Sequence, residues 1–488
     1  MDVPMNHWAY DAIGQLASKG VLSGYPDGAY KGKQPTTRYE MASALARALA
    51  LVDMTKANKQ DVEMLKRLVV EFKDELDALG VKVEGVDKRL AVVEQRLGGW
   101  KISGELRLDV EDWDNDNVDG DAFNGLSRLE FQRWFGEDED MYFYVSLEDG
   151  GDSDRQVVFD NFFIEFPFFW DSRLTVGRMA FDFESDYRFE TGGATDIANG
   201  AWLGDRTMDG MLWQKSFRLG AVNFYVARPT ELPTTNADEI LDAWEAAFVA
   251  QLQFTERFGV DFGAQAIFGD DASVFSAPYA NNPDAEFRVD NIWTLFGGLR
   301  FDFNENIALK GIYYYQDHSA EVDYQGVYED FSWDSASAWK AIVDIKQDML
   351  KFTSLWLEYS YLEEGFYLPY SNVALTLVDT DQWNTADGGS GVVGHDTSIW
   401  RLGALQEWNE KWSSWLYVAG HTLDNAGLSS SGSANDAKAL QWGVGLEYRY
   451  NENVTFALNY IKIDWNDAAN RATYEDEHRI QFRTAVAF

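Results

Sequence analysis

The 488-residue chain is 46% hydrophobic with a negative mean hydropathy, and its 41 Lys+Arg stand against 81 Asp+Glu for a net charge of −40. It can bury more than one domain's core, yet its longest helix-like apolar stretch, Met41 to Val52, is broken by Arg47 and too short to cross a bilayer as a helix. Cysteine is absent and the five histidines have no metal spacing, so disulfides and thiolate metal centres are excluded and no cofactor, metal or nucleic-acid partner is expected.

Aromatic residues make up 15% of the chain, with 19 Trp, 23 Tyr and 32 Phe, more than a soluble core needs. A second apolar environment, such as the interfacial belts of a membrane protein, would account for them. The start, Met1-Asp2-Val3-Pro4, has neither a basic n-region nor an apolar h-region, so a mature form is expected. Charge marks a boundary: residues 1–99 hold 14 basic and 14 acidic side chains, leaving 27 and 67 for residues 100–488. Many of those acids fall in Gly/Asn/Ser-rich stretches such as Glu111 to Asp121 and Asp379 to Asp387, which read as solvated loops. They would keep such loops soluble, or favour cations at a channel mouth.

Residues 1–53 pair two short helical patterns around a turn. Trp8, Ala12, Ile13 and Leu16 recur at helical spacing before Gly20, and Gly24-Tyr25-Pro26-Asp27-Gly28 is a turn signature. Thr36 or Thr37 can cap the helix that follows, with Glu40 as the matching capping-box acid for Thr37. Arg38 could clamp an anionic group with its planar fork. Alternatively, Asp11, Asp27 and Glu40 with Trp8, Tyr10, Tyr25 and Tyr39 could hold an ammonium group by charge and cation–π contact. Trp8, Ile13 and Leu16 could equally be core, with Arg38 paired to Glu40.

The run Asp2-Val3-Pro4, His7-Trp8-Ala9, Ala12-Ile13, Leu16, Gly20-Val21-Leu22, Gly24 to Gly28 and Thr37-Arg38-Tyr39-Glu40 resembles one S-layer homology repeat. Tyr39 departs from the alanine usual in that family's last motif, which alters the expected pocket wall. The resemblance implies non-covalent binding to a cell-wall polymer, with Trp8, Asp11, Tyr25, Asp27, Arg38 and Glu40 as the candidate contacts. Such repeats usually come in threes, and one copy per chain implies three chains.

Residues 54–99 carry a heptad seam. Val62, Leu65, Val69, Phe72, Leu76, Leu79, Val83, Val86, Leu90, Val93 and Leu97 alternate steps of three and four. The pairs Asp61 with Lys66, Lys82 with Asp87 and Arg89 with Glu94 fit parallel strands of a coiled coil. At 1.5 Å per residue the seam would make a rod of about 50 Å. Gly80 and Gly85 would weaken it locally.

After Trp100 the period changes to two. From Leu440 to Tyr450 every even position is apolar or aromatic and the odd ones are small or polar. Ile102 to Val110, Trp293 to Phe303, Val454 to Tyr460 and Ile480 to Phe488 repeat the pattern, which marks a membrane barrel with a polar interior. Tight turns are expected at Phe254 to Phe258, Phe303 to Asn306, Trp408 to Trp412 and Tyr450 to Asn453, with weaker signals near Glu137, Asp171, Lys215 and Asp348. Eight turns on one side imply 18 antiparallel strands, although 16 also fits.

The last strand, ending on Phe488, resembles the signal that delivers outer-membrane barrels to their assembly machinery. The whole arrangement is similar to the SLH-domain porins of diderm Firmicutes, the OmpM type, and more distantly to cyanobacterial SLH porins. The fold class expected is therefore an all-β transmembrane barrel at 100–488, preceded by an α-helical wall-binding module at 1–53 and a parallel coiled-coil stalk at 54–99. The OmpM type implies peptidoglycan bearing polyamines as the partner, favouring the acidic and aromatic reading of the first module. The cyanobacterial relatives imply a charged polysaccharide, favouring Arg38. The resemblance places the barrel in outer-membrane lipid and the stalk in the periplasm, as a homotrimer.

Alternation puts Glu105, Arg107, Asp109, Arg300, Asp302, Glu447, Arg449 and Arg483 on the polar face as pore-lining candidates. Opposed acidic and basic rows would set a field across a wet constriction. The stretch Phe183 to Asp209, after the fifth strand, is expected to fold inward, with Glu184, Asp186, Glu190 and Asp196 facing the arginines. The function expected is a diffusion porin for small polar solutes and ions that also tethers the membrane to the wall. The alternative is a purely structural tether whose lumen is plugged. His318, His395, His421 and His478 lie in separate segments without a nucleophile pattern, so no enzyme is expected.

Overall fold

The computed structural model describes residues 100–488, apart from 116–118, 137–139, 150–156, 192–201, 204–205, 230–242, 270–274, 280–281, 325–326, 333–334, 347–353, 369–392, 394, 429–433 and 467–475. The wall-binding candidates Trp8 to Glu40 and the heptad seam lie outside the described residues, as does Asp196. Two compact units divide the chain, Met1–Lys101 with Gln132–Phe135, and Ile102–Phe131 with Gly136–Phe488. The second unit is built almost wholly of β-strands.

The strands run in chain order as β1 (Trp100–Asn115), β2 (Asp119–Phe135), β3 (Met141–Asp149), β4 (Val157–Phe168), β5 (Ser172–Phe181), β6 (Arg206–Phe217), β7 (Gly220–Pro229), β8 (Ala243–Thr255), β9 (Phe258–Gly269) and β10 (Phe275–Tyr279). They continue as β11 (Asn282–Asn304), β12 (Ile307–Tyr324), β13 (Val327–Ser332), β14 (Ala336–Ile345), β15 (Ser354–Leu362), β16 (Thr397–Glu407), β17 (Trp412–Leu428), β18 (Ala434–Arg449), β19 (Val454–Trp465) and β20 (Glu477–Ala487). Eighteen of these form a closed antiparallel barrel. The other two, β10 and β13, only extend β11 and β12, because β9 pairs directly with β11 and β12 with β14. The larger of the two strand numbers left open by the sequence is thus the one observed.

Closure comes from β1 against β20, in register from Glu105↔Ala487 to Asn115↔Glu477. Backbone hydrogen bonds in both directions between Gly104 and Phe488, at 2.9 and 3.0 Å, finish the seam. In lipid an unpaired strand edge would leave a row of backbone groups without water or partner, so only the closed form can span.

Short turns form where the sequence carries asparagine. The Oδ1 of Asn304 accepts from the backbone N–H groups of Asn306 (2.8 Å) and Ile307 (3.0 Å). Asn409 and Asn451 do the same for Lys411 and Trp412, and for Asn453 and Val454. The side-chain amide thus stands in for a backbone acceptor, the Asx turn. The turn expected near Lys215 lies a little later, between Phe217 and Gly220, where Gly220 takes φ +149°. Lys215 stays on β6 and reaches the neighbouring hairpin, donating to the carbonyl of Asp171 at 2.7 Å. There Trp170 and Asp171 hold positive φ, and the lysine caps the strained turn.

Alternation divides each strand. On β11 Trp293, Leu295, Leu299, Phe301 and Phe303 are exposed, whereas Ile292, Thr294 and Phe296 are buried. Ten residues separate Trp293 from Phe303, which at strand rise and barrel tilt gives about 25 Å, the height of a membrane-facing apolar band. Leu299 stands near its middle. Leu299→Arg should therefore destabilise the barrel by about 2–4 kcal/mol in lipid vesicles, measured by reversible urea unfolding, and a change near zero would contradict this orientation.

Candidate functional site: the barrel lumen

The segment after β5 turns into the barrel. Its 3-10 turn, Ser185–Tyr187, is flanked by Phe183, Phe189, Trp202 and Leu203, and all four of these, like Tyr187, are buried. Phe183 stacks on Phe296 with ring centroids 4.6 Å apart, Trp202 meets Tyr314 at 5.4 Å, and Phe189 meets Tyr417 at 6.1 Å. The lumen is therefore partly filled by an aromatic core built from one loop and the inner faces of β11, β12 and β17.

Polar contacts fix the loop where the rings cannot. Glu184 is fully buried, accepting from the Tyr314 hydroxyl and from the backbone N–H of Leu203 (2.6 Å). The Tyr187 hydroxyl donates to Asp261 at 2.5 Å, and Arg300 links Asp186 (2.5 Å) to Asp261 (3.4 Å). Lys340 lies 4.2 Å over the Trp202 ring. Two glycines on the inner wall admit the loop: a Cβ on Gly298 would strike the Tyr187 phenol, and one on Gly403 the Phe189 ring.

Of the four loop acids expected to face arginines, Asp186 does so. Glu184 is taken up by Tyr314 and the backbone, because its position faces the packed aromatic side of the loop. Glu190 pairs with Arg188 of its own loop at 2.6 Å. The wall candidates are paired with near neighbours. Arg483 grips Asp109 through two 2.7 Å hydrogen bonds, Arg107 lies 3.8 Å from the same carboxylate, and Arg449 approaches Glu447 at 4.0 Å. Glu105 is half-buried on the same face of β1.

A buried ionic cluster on the far wall was not foreseen from the sequence. Arg401 donates to Glu358, to Ser360 (2.9 Å) and to the Tyr417 hydroxyl (3.1 Å), while Glu358 also accepts from the Trp356 indole at 3.0 Å. Arg401 falls on the non-aromatic phase of β16, opposite Trp400, and that phase was the available signal, whereas Glu358 shares its phase with Trp356. A uniformly polar inner face is also corrected, since Ile399, Ala419, Ala437, Ile461, Ile463 and Trp465 are inward and buried. They face inward because Trp400, Leu440 and Leu458, in the opposite phase, occupy the outside.

The filling is lopsided. Inward positions from β8 to β19 are mostly buried, Val249, Tyr314, Ser360, Tyr417 and Asn459 among them, with Arg300, Lys310 and Asp344 half-buried near the short turns. On β1 to β4 the inward side chains Ser103, Glu105, Arg107, Arg128, Glu130, Tyr142, Tyr144 and Glu165 remain partly exposed. Solvated space inside the barrel thus runs along the first four strands.

The model of the S-layer homology domain matches residues 2–42. The chain thus carries an S-layer homology domain and is similar to outer-membrane proteins over its first fifth. It is 41% identical over 93 residues to outer membrane protein SlpA of Deinococcus radiodurans, a match covering 18% of this chain and 8% of SlpA. It is 35% identical over 97 residues to outer membrane protein alpha of Thermotoga maritima, covering 20% and 24%. The chain thus spans less than a quarter of the length of these relatives. The barrel has the fold of Pseudomonas aeruginosa OpdL, with a TM-score of 0.53 at 12% identity over 80% of this chain and 99% of that one.

Gly298→Val should expel Tyr187 and cost the hydrogen bond to Asp261, about 1.5–3 kcal/mol for a charged acceptor. Limited proteolysis within 182–205 should then rise at least about tenfold through local opening. Gly297→Val, where a Cβ meets open space, is the control and should leave cleavage unchanged. Equal cleavage of the two variants would refute the glycine's role.

Proposed function

We propose that the barrel is a diffusion channel for small hydrophilic solutes and ions, and that the S-layer homology domain ties it to the cell wall. The observation that carries the channel reading is the one-sided filling of the lumen. A barrel meant only as an anchor could pack all its inward positions, yet those on β1 to β4 keep partly exposed ionic side chains. Eighteen strands also enclose more area than side chains alone fill. Reconstituted in planar bilayers, the full chain should give steady, ohmic current, and a silent bilayer containing folded protein would leave the plugged tether as the better reading.

For the stalk, the matched domain supports a wall polymer as partner, with Trp8, Asp11, Tyr25, Asp27, Arg38 and Glu40 as the contacts. Cations bound by acidic and aromatic side chains, or anions bound by Arg38, are separated by comparing sacculi with and without polyamine. Removing residues 1–53 should abolish co-sedimentation with purified sacculi while heat-modifiable mobility shows the barrel still folded. Sedimentation that survives the truncation counts against the tether.

The heptad seam supports association of chains, and one S-layer homology repeat per chain where three are usual favours a homotrimer, in which three weak wall contacts act together through effective concentration. Its subunits would be inserted by the barrel assembly machinery that reads the last strand. Cross-linking in membranes should yield trimers, and a monomer band alone would exclude them. We read the chain as a passive channel and tether with no catalytic role, its buried His318 and His421 serving the packed inner wall.

A further inference from the structure

The solvated side of the lumen carries an aromatic surface that the packing of the barrel does not use. Tyr142 and Tyr144 lie two residues apart on the inner face of β3, and Phe163 on β4 stands directly across from Tyr144. Ring centroids are 6.4 Å apart for Tyr142 and Tyr144, 5.3 Å for Tyr144 and Phe163, and 6.1 Å for Tyr142 and Phe163. The planes of Tyr142 and Tyr144 differ by 26°, and those of Tyr144 and Phe163 by 30°. Three rings therefore cluster in one partly exposed patch, with Phe163 tilted 55° to Tyr142, whereas the aromatic side chains of the loop after β5 are buried.

The border of the patch is polar, and two of its three carboxylates are paired with guanidinium groups. Glu130 accepts from the Tyr144 hydroxyl (3.0 Å) and from Ser103 (2.8 Å) on one side. Arg128 is paired with Glu148 above it, and Arg173 with Glu165 on the other side. An organic cation stacking there would meet the Arg128 and Arg173 guanidinium groups beside the carboxylate of Glu130, and an anion would meet three carboxylates. A purely aromatic solute would strip water from the paired ions and give nothing back. A neutral sugar ring has an apolar C–H face for the rings and equatorial hydroxyls that can bond to both members of each ion pair. It is the one of these four classes that satisfies rings and border together.

We propose that Tyr142, Tyr144 and Phe163, bordered by Glu130, Arg128 and Arg173, form a stacking subsite for a neutral saccharide on the solvated wall of the lumen. This rests on the channel reading for its purpose, since a sugar held there lies on the path that β1 to β4 leave open. Its existence as a binding site does not depend on current. Stacking contributes mainly through ring area, so the phenolic oxygens are secondary and the rings primary.

The probe is maltotriose, offered to the full chain in a polyoxyethylene detergent without sugar headgroups and followed by saturation-transfer NMR. In parallel it is added to the full chain in planar bilayers and followed as interruptions of single-channel current. The wild-type chain should bind it and show interruptions. Tyr142→Leu and Tyr144→Leu should each weaken binding at least about fivefold through loss of ring stacking. Tyr144→Phe, which keeps the ring, should stay within about twofold, and heat-modifiable mobility confirms that each variant is folded. Equal affinity in the leucine variants, no saturation transfer to the sugar, or stronger binding of spermidine or benzoate than of maltotriose would overturn the proposal. Sugar binding without current would support the subsite and sink the channel reading, whereas current without sugar binding would do the reverse.

Discussion

Every inward feature of this protein follows from the requirement that a sheet in lipid leave no backbone group unpaired. That condition forces β1 onto β20, fixes eighteen strands in one ring, and commits alternate side chains to outside and inside without further choice. Once the ring is closed, its interior is too wide for its own side chains. The remaining space must be filled by chain, by water, or by both.

Here both occur, on opposite sides. The loop after β5 brings Phe183, Tyr187, Phe189 and Trp202 against the inner faces of β9, β11, β12, β14 and β17, and there even Arg401, Glu358 and Lys340 are shut away from solvent. Burying charge is tolerable only when each partner is supplied, and the Arg401 cluster supplies them through Glu358, Ser360 and Tyr417. Gly298 and Gly403 are the clearances that let the loop close on the wall. Opposite this packed mass the Arg128–Glu148 and Arg173–Glu165 pairs keep their contact with water, although Asp109 with Arg483 is buried.

Much of this was legible because a barrel writes itself into sequence through two simple signals. Period-two alternation placed Arg107, Asp109, Arg300, Glu447 and Arg483 inside, and asparagine-led turns such as Asn304, Asn409 and Asn451 marked one rim. The sequence signal at Lys215 falls a few residues before the turn after β6, since Phe217-Arg218-Leu219-Gly220 lacks a side-chain acceptor and relies on glycine conformation alone. What alternation cannot express is distance across the lumen. Ile461 and Ile463 share a phase with Asn459, and nothing local tells that the first two face packed chain. For the same reason Glu184 and Asp186, two residues apart in one acidic loop, looked equivalent although one is sealed by Tyr314 and the other meets Arg300. The Arg401 cluster joins residues on three strands, and only the register of β15, β16 and β17 brings them together.

The lopsided interior also separates two kinds of change that most channels must make together. The side chains bordering water come largely from one uninterrupted stretch, Trp100 to Phe168, while those that hold the barrel solid are spread over the remaining strands. On the proposed channel reading, substitutions in that stretch would retune what passes without disturbing the mass that keeps the cylinder rigid. Diversification of permeability within such a scaffold would then be cheap in stability, and could proceed by exchange of a single contiguous block.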